Sequence, residues 1–179
     1  YENPRGFSWF VFYLLTLLVK PRNFPYTTTL CIIPKPNEMF EQLEKYKSNG
    51  HFFFEEKNEL NSVCNAPKNG IGVYVVYALK NGKIELVYIG SSGKIKQDGK
   101  AKIRKGGIFD RLVNGKQFDE PRKKSWKQKL ISEQIDALDI YWYETFDKNH
   151  NDIPVSVEGS VIQTFFNING KLPQWNKEF

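Results

Sequence analysis

The 179-residue chain is poor in sulfur and in histidine. Two cysteines, Cys31 and Cys64, are too few for a disulfide framework or a four-thiolate metal centre. They read as free thiols of a reducing cytosol, with a single bridge between them as the alternative. Two histidines, His51 and His150, exclude a histidine-rich zinc site. Any metal must therefore lean on carboxylates, which favours a hard cation such as Mg²⁺. Internal repeats and low-complexity tracts are missing, which sets aside solenoid and fibrous architectures. The apolar stretch Phe7–Val19 is thirteen uncharged residues, short of the roughly 20 that span a bilayer. Arg5 precedes it, but no small-x-small cleavage site follows. It reads first as a buried or partner-covered helix, with upstream sequence that does not belong to the functional domain and a signal or membrane segment as the alternatives. The expected protein is cytoplasmic and not membrane-bound.

What the chain does contain is ordinary globular composition, 40% hydrophobic and 26% charged residues, enough to bury a core without staples. The net charge of +6 is unevenly placed. Lys94 to Lys129 holds thirteen Lys and Arg against four Asp and Glu, a local +9 that leaves −3 for everything else. Such a field favours a polyanion, nucleic acid first among them. A solvated basic loop without a partner would look the same in composition.

Residues 21–36 carry four prolines around a strand candidate, Thr27–Ile33. Asn37 is placed to cap a helix over 38–47, and His51–Phe54 is a short aromatic strand candidate. The loop Cys64–Gly70 predicts a boundary, with an N-terminal extension over 1–65 and a functional domain over 66–179. In that domain Val73–Leu79, the turn signal Asn81-Gly82 and Ile84–Ile89 predict a hairpin. Gly90 to Gly93 is expected to end its second strand. A basic excursion over 94–105 follows, then helical pieces near Ile108–Leu112 and Trp126–Ile131. Ala137–Glu144 predicts a third strand. A helix from Val155 to Asn167 should bury Val161, Ile162, Phe165 and Phe166 and end at Asn169-Gly170. The fold class is α/β of the α+β kind, a small three-stranded antiparallel sheet flanked by helices.

Tyr74 and Tyr88 fall on the two hairpin strands with thirteen residues between them. Paired strands can bring such residues to one site. A phenol with an ordinary pKa near 10 needs nearby positive charge to take a proton from water, and the 94–105 excursion is placed to supply it. Packing alone also explains paired strand tyrosines. Arg111, beyond Gly106-Gly107, offers a guanidinium that can brace a phosphate with two parallel bonds. Glu158, expected in the first turn of the last helix, offers a lone carboxylate that could hold Mg²⁺ among waters. A surface ion pair and a helix-dipole partner are their plainer readings. Trp126, Tyr141, Trp142, Tyr143 and Trp175 could stack on bases, though core packing accounts for most of them.

With Gly72-Val73-Tyr74, Tyr88-Ile89-Gly90, Arg111, Glu158 and the terminal Asn176 in this order, the stretch Ile71–Phe179 resembles the GIY-YIG nucleases. The lysine- and glycine-rich insertion after Gly90 is most similar to their restriction-enzyme branch; the repair and mobile-element branches are the alternatives. The resemblance implies a metal-dependent endonuclease that hydrolyses double-stranded DNA with Mg²⁺ or Mn²⁺ and no small-molecule cofactor. By position, Tyr74 and Tyr88 are the active-site tyrosines, Tyr88 activating water. Arg111 steadies the phosphate, Glu158 binds the metal, and Asn176 supports the site from the tail. Lys100 and Lys102 are the lysines expected to tune the tyrosine. Cutting both strands implies a homodimer or two successive nicks. Two departures stand out. The tyrosine spacing is long, which predicts a longer hairpin turn. Gly115 stands one turn after Arg111, where the family often has His or Tyr, and His150 is read as a loop residue rather than its substitute. A non-catalytic nucleic-acid-binding module of the same fold is the competing reading.

Overall fold

A computed structural model describes residues 40–103 and 105–179. The expectations for Phe7–Val19, Thr27–Ile33, Cys31 and the Asn37 cap lie outside these residues. In chain order the elements are α1 (Glu41–Glu44), β1 (Asn49–Phe54), α2 (Leu60–Val63), β2 (Gly72–Lys80), β3 (Lys83–Ser92), β4 (Lys94–Ile95) and β5 (Ala101–Lys102). Then follow α3 (Gly107–Asn114), β6 (Lys116–Gln117), β7 (Glu120–Pro121), α4 (Arg122–Ser132), β8 (Ala137–Glu144) and α5 (Pro154–Asn169). The main sheet has four strands in the order β1-β8-β2-β3, all neighbours antiparallel.

The fourth strand corrects the expected three. β1 pairs along its whole length with β8, Phe54 opposite Leu138 and Asn49 opposite Tyr143. Phe52, Phe54, Leu60 and Cys64 pack in the same core as β2 and β8. Residues 40–65 are thus part of the sheet domain, and the expected boundary at 65/66 falls inside its packing. The cause is separation in sequence. β1 reads locally as a strand, but its partner is some 90 residues away, and no local pattern announces that pairing.

Alternation along the strands sorts two cores. On one face Tyr74, Val76, Ala78, Leu138, Ile140 and Trp142 pack under α3 and α4. On the other, Val73, Val75 and Ile89 pack against Phe40, Leu43 and Tyr46 and against Val161, Ile162 and Phe165 of α5. Phe166, expected among the last group, is exposed. α5 begins at Pro154, so Glu158 stands in its second turn, not its first. The helix dipole falls off within one turn, so that explanation for the residue weakens. Gly170 ends α5 in the left-handed region at φ 66°.

The β2–β3 hairpin closes on Asn81-Gly82, both at positive φ (51° and 71°), with Lys80 opposite Lys83. This is the tight two-residue turn, not the longer one that the tyrosine spacing predicts. The extra residue sits instead in a bulge. Tyr77 pairs with Leu86, but Val76 pairs with Tyr88, so Val87 has no partner. The parity matters. Regular pairing from this turn would set Tyr88 opposite Val75 and turn it away from Tyr74. The bulge shifts β3 by one residue and brings both tyrosines to one face. β3 also runs on through Ser91 and Ser92, past the expected break at Gly90, and turns at Gly93, φ 95°.

Among the described residues, no helix is long and apolar enough to cross a membrane.

Candidate functional site

Tyr74 lies fully buried at the centre of the sheet, and its ring centroid is 6.0 Å from that of Tyr88. Both tripeptide glycines have packing reasons. A Cβ on Gly72 would stand 1.9 Å from the backbone oxygen of Tyr143, and one on Gly90 would stand 2.5 Å from Tyr74 Oη. Tyr74 Oη has no aligned hydrogen-bond partner in its buried setting. The polar group facing it is the Arg111 guanidinium, a neighbour that a phenylalanine at 74 would not serve.

Arg111 comes from α3, whose start is held by the loop before β2. Ile108 N donates to Gly70 O (3.1 Å) and Phe109 N to Pro67 O (3.2 Å). Gly107, at φ 54°, lies so close to the Lys68 and Gly70 carbonyls that a side chain there would collide. Ile108, Leu112 and Val113 are buried, which aims Arg111 toward the tyrosines. Its guanidinium is held in the charged form, above the usual arginine value, chiefly by the Tyr74 phenol beside it. Its Nε is buried and unpartnered.

Glu158 projects from α5 toward the same point. Ser91 Oγ donates to its Oε2 at 2.5 Å. Burial raises its pKa above the carboxylate norm, while the Ser91 bond and the charges of Arg111 and Arg122 pull it down. Tyr88 and Glu158 share the wall of a cavity of about 240 Å³, closed by Gln117, Phe118, Trp175 and the residues from Asn176 to the end. Asn176 clamps this tail to the edge of β3. It accepts from Ile89 N (3.0 Å) and donates to Ile89 O (2.9 Å), next to Trp175 N donating to Val87 O (2.8 Å). The tail thereby covers an otherwise open strand edge.

The structure therefore gathers Tyr74, Tyr88, Arg111 and Glu158, from β2, β3, α3 and α5, with Asn176 bracing β3 behind them. It does not bring the expected lysines in. Lys100 and Lys102 lie exposed on and beside the small β4–β5 hairpin, and Lys100 faces Asp98 at 3.9 Å. The cations acting on Tyr88 are Arg122 and Arg111. Their pull does not prevail. Burial first, and Tyr74 second, hold the Tyr88 phenol above its ordinary value. His150 is a loop residue that pairs with Asp147 at 3.1 Å.

Arg122, at the first position of α4, is the residue that sequence reasoning misses. It is fully buried. Its Nη2 donates to Tyr88 Oη (3.2 Å), its Nη1 to Arg111 O (3.0 Å) and its backbone N to Gly115 O (2.8 Å). Its guanidinium carbon stands 5.1 Å from the Tyr74 and Tyr88 ring centroids and 5.2 Å from that of Trp126. A Cβ on Gly115 would collide with Arg111 O at 2.3 Å, the carbonyl that Arg122 Nη1 bonds. Nothing in the sequence marks Arg122 among its basic neighbours as the one that, among the described residues, is fully buried.

The aromatics divide as alternation requires. Trp126, Trp142 and Trp175 belong to the core, and Tyr141 and Tyr143 face the other side of β8 from Trp142. Cys64 is a buried free thiol, with its pKa pushed up to about 11 by burial. Among the described residues no three His, Cys, Asp or Glu side chains converge. A cation here would be held by the Glu158 carboxylate among waters, with the neutral Ser91 Oγ beside it. That all-oxygen donor set suits a hard divalent ion that keeps most of its waters.

Comparisons of the chain with protein-family models, with curated proteins and with solved structures each return no match.

Proposed function

We propose that the chain is a divalent-metal-dependent endonuclease of the GIY-YIG type that hydrolyses phosphodiester bonds of double-stranded DNA in the manner of a restriction enzyme. The observation that carries the reading is the meeting of two tyrosines, an arginine and a glutamate from four separate elements, with Tyr88 and Glu158 lining one cavity and Tyr74 and Arg111 beside Tyr88. A charged guanidinium set against the buried Tyr74 hydroxyl is more than packing requires.

In this reading Arg111 binds the scissile phosphate, its charge being secure at any working pH. Tyr88 Oη, at the cavity wall, first gives its own proton to solvent and as the phenolate takes one from the attacking water. The water oxygen bonds to phosphorus as the bond from phosphorus to the leaving sugar oxygen breaks, and that oxygen takes its proton from solvent. Arg111 stabilises the negative charge that builds on the phosphate oxygens. Glu158 is the residue that would hold Mg²⁺ or Mn²⁺. When bound there, such an ion would supply positive charge to offset the charge building on the phosphate. Asn176 keeps β3, and so Tyr88, in register. The exposed lysines of the β4–β5 hairpin extend the positive surface along the DNA backbone.

The second reading, a binding module without catalysis, draws on one observation: burial holds Tyr88 protonated. The variant Glu158→Gln separates the two. The nuclease reading expects it to bind duplex DNA like the parent but to cut none. Equal cutting by both proteins removes Glu158 from the chemistry, and no cutting by the parent with Mg²⁺ or Mn²⁺ leaves the binding module.

A further inference from the structure

We propose that Arg122 is a positioning residue that orients the Tyr88 hydroxyl and supplies the fixed counter-charge for its deprotonated form. The inference rests on the nuclease reading for its role in cleavage, but not for its effect on the phenol.

Burying a guanidinium is costly, and the cost is ordinarily met by a carboxylate. Arg122 is fully buried, and among the described residues no carboxylate lies within ion-pair range of it. What surrounds it is a phenol oxygen, a backbone carbonyl and three aromatic faces. A guanidinium only donates. Its bond to Tyr88 therefore uses a lone pair of the phenol oxygen and grows stronger when that oxygen becomes anionic. The donor is held at both ends, by its backbone bond to Gly115 and by its bond to Arg111 O. The short β6–β7 hairpin delivers it to the start of α4. A core residue chosen for packing would not need this charge.

The charged and titratable groups facing Tyr88 come from every element around it: Tyr74 on β2, Arg111 on α3, Arg122 on α4 and Glu158 on α5, with Lys177 and Glu178 of the tail lining the same cavity. Of the two arginines, Arg122 has the greater effect on the phenol and the direct bond. Arg111 remains available to a phosphate.

The test compares the parent with Arg122→Met and Arg122→Lys. One readout is the pH dependence of Mg²⁺-supported cleavage of a long duplex. The other is a ¹⁹F titration of each protein carrying a difluorotyrosine at position 88, whose phenol titrates well below tyrosine's own. Arg122→Met should move the ¹⁹F midpoint up by about one unit, a tenfold drop in the phenolate fraction at a given pH below it. Cleavage should fall in parallel and recover as pH rises. Arg122→Lys, which keeps the charge and gives a folded comparison if the Met variant unfolds, should lie between. An unchanged midpoint in the folded variants, or a cleavage loss equal at every pH, overturns the proposal. A shifted midpoint in a protein whose parent cuts nothing supports the pairing and sinks the nuclease reading alone.

Discussion

Replacing Gly90 with alanine tests the packing of the two strand tyrosines. The added Cβ would stand 2.5 Å from Tyr74 Oη, 2.6 Å from its Cζ and 2.9 Å from its Cε2. Ordinary carbon contacts begin near 3.5 Å, so the ring must retreat by about 1 Å. It has little room, being fully buried with Tyr88 and Arg122 against it. Overpacking of this kind costs about 1–3 kcal/mol. Loss of the glycine's freedom in the unfolded chain offsets about 0.4–1 kcal/mol of that. The net destabilisation should be about 1–2 kcal/mol, a fall of roughly 1 M in the urea midpoint for an m-value of 1–3 kcal/mol/M. Cleavage should fall as well, because Tyr74 carries Tyr88 and Arg122 with it. The control is the same substitution in a Tyr74→Val background, where the obstructing ring is absent and the cost should largely vanish. Equal cost in both backgrounds, or no cost in the parent, would refute the steric clash as the reason for a glycine here.

Glu158→Gln should raise the melting temperature of the metal-free protein at pH 7. Burial raises this carboxyl's pKa in the fold, so the parent loses stability as pH climbs from the unfolded value of 4.5 through the folded one. The gain should disappear at pH 4, where both side chains are neutral; thermal unfolding at the two pH values checks this, and a variant less stable at pH 7 contradicts it. Deleting Val87 removes the bulge yet leaves Tyr88 opposite Val76, on the face of Tyr74. Cleavage should survive in the fraction that circular dichroism shows folded, and its loss from a folded, DNA-binding variant would contradict this register. Changing Lys94, Lys96, Lys100 and Lys102 together to Gln should flatten the salt dependence of DNA binding, by about 0.9 in the log–log slope for each phosphate that the protein no longer neutralises. An unchanged slope would place the DNA-binding cations elsewhere.

How far the sequence could be read depends on whether each feature is local. Asn81-Gly82 names its own turn, because both positions need positive φ and these residues tolerate it. Ala137–Glu144 and the last helix likewise announce themselves through alternation and through Asn169-Gly170. The bulge at Val87 has no such signature. Its only trace is a tyrosine spacing one residue too long, which a looser turn would explain equally well. β1 is visible as a strand but not as a partner of β8, because that pairing closes across nearly the whole domain. Of the five site residues named from the sequence, Tyr74, Tyr88, Arg111 and Glu158 meet and Asn176 braces β3, but the cation beside Tyr88 is not one of the lysines that follow it in the chain. It is Arg122, brought in by a hairpin and a helix start that composition cannot separate from their basic neighbours.

The central claim is that Tyr88, Arg111 and Glu158 form one metal-dependent hydrolytic site. It is tested most directly by incubating supercoiled plasmid with the parent protein and with Tyr88→Phe, in Mg²⁺ and again in excess chelator. The account predicts nicked or linear DNA with the parent in Mg²⁺ alone, and intact plasmid in the other three reactions. Cutting by Tyr88→Phe at the parent's rate, or cutting by the parent that persists in chelator, would contradict it.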